Sequence, residues 1–303
     1  MKKLAYSLVI VFAGLFIVDR LGGFVMAWVS RNTNDVISPK LQYVSNGIHE
    51  DVVFMGASRC HHHYVPSIIS DTLLMDVYNA GIGGSDNIFS HYIVLSHILK
   101  GHKPKAICLE VMPTDYNCQK DPFAVISFFA PLIGKCEEAD SVFRMAGSYW
   151  KYEASHLYRY NAKASSNLWG LVLNRQRNDD NGYNPLPAPN QHPSMMAQEK
   201  RDTETDLQKL EYLHRFVTLC QQNNIKLIFT VSPKYTKVED SHYDVIKRFA
   251  QKYDIPFLDY HTTGLYIDHP EYFKDASHLW DKGARLYSSV IASDLKKMLK
   301  RQN

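Results

Sequence analysis

The chain has 303 residues, 45% of them hydrophobic and 21% charged, with a formal net charge of +3. That composition excludes a disordered chain, and the length is ample for a large core. The small net charge, with no block of Lys or Arg, excludes a nucleic-acid footprint, so no nucleic-acid partner is expected.

The N-terminus reads "MKKLAYSLVIVFAGLFIVDRLGGFVMAWVSRN". Lys2 and Lys3 precede an uncharged, mostly apolar run from Leu4 to Val18, then Asp19-Arg20 and a second apolar stretch to Val29. The first run is short for a bilayer span and suits a signal-peptide core, whereas its extension through Val29 completes a tilted membrane helix. Val25-Met26-Ala27 is a weak cleavage site far from the run. The expectation is therefore an uncleaved signal-anchor over 1–30 and a linker over 31–50, with cleavage as the alternative. Lys2 and Lys3 mark the cytoplasmic side, so either reading exports the rest of the chain.

From residue 51 onward short apolar runs alternate with longer amphipathic segments. "DVVFMG", "MDVYNAG", "PKAICLEV", "IKLIFTVSP" and "IPFLDY" read as buried strands. "VPSIISDTL", "DNIFSHYIVLSHILKG", "ETDLQKLEYLHRFVTLCQQNN", "SHYDVIKRFAQKYD" and "DKGARLYSSVIASDLKKMLK" read as helices. In the third of these, Leu207, Leu210, Leu213, Phe216, Val217 and Cys220 repeat at the helical period. The alternation predicts an α/β fold with a mainly parallel sheet covered on both faces, a flavodoxin-like three-layer sandwich. It lapses over about 117–200, read as an insertion in the 51–303 domain, partly helical at 138–173 and with a Gly/Pro-broken loop in "NRQRNDDNGYNPLPAPNQHPS". Five cysteines form no CxxC pattern; Cys118 and Cys136 are candidates for one short-loop disulfide or for free buried thiols.

In an open α/β sheet, ligands bind beyond the carboxyl ends of the strands. Ser58, Gly83-Gly84 and Thr114 follow strands one, two and three, and Asp275 with His278 precede the last helix. A serine between a strand and a helix has an exposed hydroxyl and a helix dipole that favours a developing anion. His278 is a candidate base, and Asp275, three residues earlier, can hold the imidazole while its other nitrogen faces Ser58. The plainer reading makes Ser58 a helix N-cap. Asp268-His269 is a rival acid/base pair, awkward because the two are adjacent. Arg59 is a candidate for binding a substrate anion or a solvated surface residue, and Ser232-Pro233 either lines the site or merely ends strand four. Trp150, Trp169 and Tyr183 in the insertion are candidates for stacking on sugars or for core. The neighbouring Cys60-His61-His62-His63 suggests metal ligands, but consecutive helical residues point about 100° apart and only Cys60 with His63 is helically spaced. No metal and no cofactor is expected.

These residues resemble the SGNH, or GDSL-like, hydrolases. Gly56-Ala57-Ser58 matches the family's first block, "NAGIGGSDN" with Gly84 its second, and Asp275-x-x-His278 its last; the resemblance covers about 51–112 and 205–300. It implies Ser58, Asp275 and His278 as catalytic residues and an oxyanion hole formed by the N–H groups of Ser58 and Gly84. Gly-Ala-Ser-Arg replaces Gly-Asp-Ser-Leu, as in a divergent, membrane-anchored branch that handles envelope acyl groups. The third-block asparagine is missing, and "LEVMPTDY" offers Thr114 in its place; losing one oxyanion donor costs about 3 kcal/mol of transition-state stabilisation. The resemblance implies an exported, membrane-tethered serine esterase or O-acyltransferase. Its substrate would be an acylated carbohydrate or envelope polymer, and a membrane-bound O-acyltransferase would be its partner. The alternative is a non-catalytic glycan-binding or scaffold protein of the same fold.

Overall fold

Each of the five apolar runs expected as strands pairs in parallel with its neighbours. The computed structural model describes residues 2–172, 180–194, 196–197, 204–237, 240–261 and 263–300. Apart from a separate pairing of Met196–Ala197 with Thr236–Lys237, the strands are β1 (Val52–Met55), β2 (Val77–Asn79), β3 (Ala106–Glu110), β4 (Lys226–Val231) and β5 (Phe257–Asp259). They lie in the order β2-β1-β3-β4-β5, with Val53 opposite Ile107, Cys108 opposite Ile228 and Thr230 opposite Leu258. This is the flavodoxin-like doubly wound order, which places a crevice at the carboxyl ends of β1 and β3.

The helices are α1 (Lys2–Asn32), α2 (Ile37–Asn46), α3 (Ser58–His63), α4 (Pro66–Leu73), α5 (Ile88–Gly101) and α6 (Glu137–Met145). After them come α7 (Tyr149–Ala154), α8 (Ala164–Val172), α9 (Leu207–Gln222), α10 (Asp244–Lys252), α11 (Gly264–Ile267) and α12 (Asp281–Lys300). Alternate strand residues enter opposite cores. Val53, Met55, Ile107, Leu109 and Phe229 pack with α5, α9 and α10. Val52, Phe54, Cys108 and Ile228 pack with α4 and α12. With both faces covered, the strands carry continuous apolar runs instead of alternating ones.

Local chemistry sets the helix starts. Pro66 opens α4, where its missing N–H costs nothing. Asn87 caps α5 by accepting from Phe89 N, and Asp206 caps α9 by accepting from Gln208 N and Lys209 N.

Some expectations are corrected. Leu207 is 80% exposed, while Lys209 is fully buried on the inner face of α9. Its ammonium is held by three acceptors: the carbonyls of Thr114 and Asn117 and Gln119 Oε1. In place of a bare linker, residues 37–46 form α2, whose Leu41 and Val44 join the first core. No disulfide exists among the described residues; Cys136 is buried and donates its thiol toward Ser96 O (3.6 Å) and Glu138 Oε2 (3.2 Å). The insertion contributes α6 to α8, while residues 173–179, 195 and 198–200 of the segment lie outside the described residues. Helix α1 is long and apolar enough to cross a membrane, and its side chains from Leu4 to Val18 face outward.

Candidate active site

The turn after β1 is built by close backbone approach. Gly56 has φ +150°, and a Cβ there would meet Glu110 Cβ at 2.8 Å and Cys60 Cβ at 2.9 Å. At Gly81, after β2, a Cβ would meet His61 N at 2.5 Å. Only glycine lets the chain pass at these two points, and together they pin the start of α3 against β3 and the β2 loop. Ala57 occupies the cap position and Ser58 the first helical residue, so Ser58 does not act as the N-cap.

The Ser58 hydroxyl lies 2.9 Å from His278 Nε2, although the two residues are 220 positions apart. On the other side of the ring, Nδ1 lies 3.0 Å from both oxygens of Asp275. A carboxylate only accepts, so Nδ1 carries the proton and the Nε2 lone pair faces the serine hydroxyl. Asp275 Oδ1 also accepts from the N–H groups of Ser277 (2.8 Å) and His278 (3.0 Å). Burial raises the Asp275 carboxyl's pKa, but the His278 ring and those N–H groups outweigh it and hold the group below the usual carboxylate range. The segment 273–279 is closed on itself by a bridge between Phe273 and Leu279, which presents Asp275 and His278 from one tight turn.

The N–H groups of Ser58 and Gly84 have no hydrogen-bond partner among the described residues, and Gly84 is exposed with φ +79°. Thr114 stands in a short 3-10 turn after β3; its Oγ1 is buried without a hydrogen-bond partner among the described residues. The rival pair does not form: His269 Nδ1 bonds Glu271 Oε1 at 2.8 Å, not Asp268.

Arg59 and Ser232, read as candidates for substrate contact, are not at the surface. Arg59 is 1% exposed and its Nη2 sits 3.2 Å from Glu110 Oε1; its guanidinium also donates to the carbonyls of Ser232 and Val111. Glu110 further accepts from Tyr64 OH, Ser232 N and Ser232 Oγ. A lone carboxylate inside the apolar strand "AICLE" was the signal for this buried pair, because an ion there needs a partner.

The three histidines have separate tasks. Leu279 N–H donates to His63 Nε2 (2.9 Å), so the proton is on Nδ1, which donates to Ser232 Oγ (2.8 Å). That hydroxyl then donates to Glu110 Oε1 (2.8 Å). His63 thereby ties the residue after His278 to the buried ion pair, a role that no sequence pattern marks. Burial keeps its pKa well below the ordinary value, hence the ring is neutral. His62 donates Nδ1–H to Asn184 O (2.6 Å) and stands edge-on to the His278 ring at 5.8 Å. Burial, partly offset by the Asn184 carbonyl, lowers its pKa to about 4. His61 Nδ1 accepts from buried Lys40 of α2, which also reaches the carbonyls of Gly81 and Gly182. Cys60 directs its thiol at Asn79 Oδ1 (3.6 Å), and burial pushes its pKa well above the usual thiol range. Among the described residues, no three His, Cys, Asp or Glu side chains are grouped to hold a metal ion. Tyr183 is buried and donates to Asp281, whereas Trp150 and Trp169 are exposed.

No family model matches the chain, and no curated protein matches it. Among solved structures it is similar to a candidate lipolytic protein of the G-D-S-L family from Desulfitobacterium hafniense DCB-2. That likeness has 11% identity and a TM-score of 0.39, over 80% of this chain and 98% of the other. It is also similar to a candidate acylhydrolase from Bacteroides fragilis NCTC 9343, at 14% identity and TM-score 0.40, over 86% and 95%. A third is an acetyl xylan esterase, AlAXEase, at 14% identity and TM-score 0.43, over 82% and 99%.

Proposed function

We propose that this protein is an SGNH-type serine acyl esterase or O-acyltransferase, tethered to the membrane by α1 with its α/β domain outside the cytoplasm. The observation that carries the reading is the line of contacts from Ser58 Oγ through His278 to Asp275, 2.9 Å and 3.0 Å long. Ser58 Oγ attacks an ester carbonyl as its proton passes to His278 Nε2. The imidazolium then protonates the departing alkoxide, leaving an acyl-serine. Water or a sugar hydroxyl, deprotonated by the same nitrogen, releases the acyl group. The Ser58 and Gly84 N–H groups are the oxyanion donors in this scheme, with the Thr114 hydroxyl as a third. The substrate class is an O-acylated envelope glycan or related acyl ester, and a membrane-bound O-acyltransferase is the fitting partner.

A fluorophosphonate probe tests the chemistry. Labelling of the wild type and none of Ser58→Ala is the expected result; no labelling of the folded wild type would favour the non-catalytic scaffold. A reporter fused after Asn303 is expected to be active only outside the cytoplasm, with the protein retained in membranes after carbonate. Release of a form cut near Ala27 would replace the anchor with a cleaved signal.

A further inference from the structure

Helix α1 changes character at Asp19. Before it, the apolar side chains from Leu4 to Val18 face outward; after it, the helix has two faces. Leu21, Phe24, Val25 and Trp28 remain exposed, at the i, i+3, i+4, i+7 spacing of a single apolar stripe, and Phe24 is 68% exposed. Gly23, Met26 and Val29 are buried. The covering element includes the corner between α7 and the following 3-10 turn, packed so closely that a Cβ at Gly23 would meet His156 Cβ at 2.6 Å. This corner also engages the two charges: Asp19 accepts from Ser155 Oγ and the N–H groups of His156 and Leu157, and Arg20 donates from Nη2 to Ala154 O.

Length then decides the depth of that corner. A bilayer core about 30 Å thick needs about 20 helical residues, and Leu4–Val18 covers only about 22 Å of it at 1.5 Å per residue. Residues 19–23 must therefore lie at the outer edge of the hydrocarbon. A bare carboxylate and guanidinium there would be costly, and the corner at 154–157 leaves the Asp19 and Arg20 side chains only 21% and 28% exposed. Its outer surface is mixed in the way an interfacial layer requires: Leu157 and Tyr158 are about two-fifths exposed and Trp150 is 74% exposed. Exposed Lys151 lies over the Tyr152 and Tyr158 rings, where a long side chain can lift its ammonium to the headgroups, and Glu153 is paired with Arg159. An open apolar groove between Val9, Phe12, Phe16, Ile17 and Ala154 continues this surface along the helix.

We propose that the 150–158 corner of the insertion is itself embedded in the headgroup–acyl boundary, forming with α1 one continuous lipid-facing surface that fixes the height of the active site. Tyr and Trp suit that layer because one end is apolar and the other wet. The inference rests on α1 being a membrane anchor. By contrast Trp169 lies on α8, whose Gly170 packs against Thr33 and Asp35 beyond the far end of the stripe, and so stands clear of the lipid.

The test uses the full chain in liposomes, in three variants that each keep one of Trp28, Trp150 and Trp169, the others changed to Phe and Trp280 retained throughout. With lipids brominated near the headgroup end of the chains, the Trp28 and Trp150 variants are expected to lose emission and the Trp169 variant to keep it. Aqueous iodide is expected to quench the Trp169 variant beyond the Trp280 signal common to all three, and the other two not. Quenching of Trp150 by iodide and not by brominated lipid, with Trp28 still lipid-quenched, would overturn the embedded corner while leaving the anchor intact. Protection of Trp150 from both quenchers would assign the face to contact with a second copy of the chain and overturn it equally. Failure of the protein to float with liposomes would remove the anchor and the inference together.

Discussion

Replacing Glu110 by Gln removes the charge that balances Arg59 while keeping the side chain's size. Both partners are 1% exposed, so water cannot take over, and removing one partner of such a pair costs about 3–5 kcal/mol. The loss is at the upper end here, because Glu110 also accepts from Tyr64 OH and from the N–H and Oγ of Ser232. An amide has one acceptor oxygen, and its NH₂ would face donors. Against a typical total of about 5–15 kcal/mol, a loss of about 4 kcal/mol moves the urea midpoint far down at unchanged slope. Urea unfolding in detergent, followed by near-UV circular dichroism, reads this directly. The pair Arg59→Met/Glu110→Leu should lose much less than the two single changes summed, because no buried charge is left alone. A loss under about 1 kcal/mol in Glu110→Gln would refute the buried-pair reasoning. So would an unchanged stability with a raised KM, which would return Arg59 to the substrate.

Ser58→Ala and His278→Ala should each lower hydrolysis of a small acyl ester by about 10³-fold or more, with the double variant no worse, in steady-state assays. Asp275→Asn should cost less than either, since its half-exposed carboxylate orients and balances the ring without touching the ester. Gly84→Ala should slow turnover by about 10²-fold through the oxyanion donor while leaving Ser58 open to fluorophosphonate, as read by labelling on gels. For His62, the folded pKa of about 4 lies below the ordinary 6.5, so between those values the unfolded chain holds a proton that the folded chain lacks. Stability therefore rises with pH through that window and is lost as pH falls from about 6.5 to about 4, by up to about 3 kcal/mol from this group. His62→Gln should flatten the unfolding free energy across that range by about 1.4 kcal/mol per pH unit at most, and an unaltered slope would refute the assignment.

Much of the architecture could be read from the sequence because it depends on local, periodic signals. The five strands were visible as apolar runs, since a sheet covered on both faces needs apolar side chains on both. Gly56-Ala57-Ser58 and Asp275-x-x-His278 were legible because each is a short turn whose position at a strand end follows from the alternation itself. Helix α9 shows where periodicity misleads: Leu207 is exposed and Lys209 buried, because an ammonium with three carbonyl-type acceptors is satisfied inside and a first-turn leucine has nothing to cover it. The 2.9 Å contact between Ser58 and His278 was an expectation that only chain closure over 220 positions turned into a distance. Arg59 looked like a surface cation because its partner Glu110 is 51 residues away and nothing local announces the pair. His61, His62 and His63 looked like one cluster in the sequence, and the helix sends them to Lys40, Asn184 and Ser232. Adjacent residues share a sequence neighbourhood, but burial and hydrogen-bond partners are supplied by segments far away in the chain, and these become neighbours only when the sheet assembles.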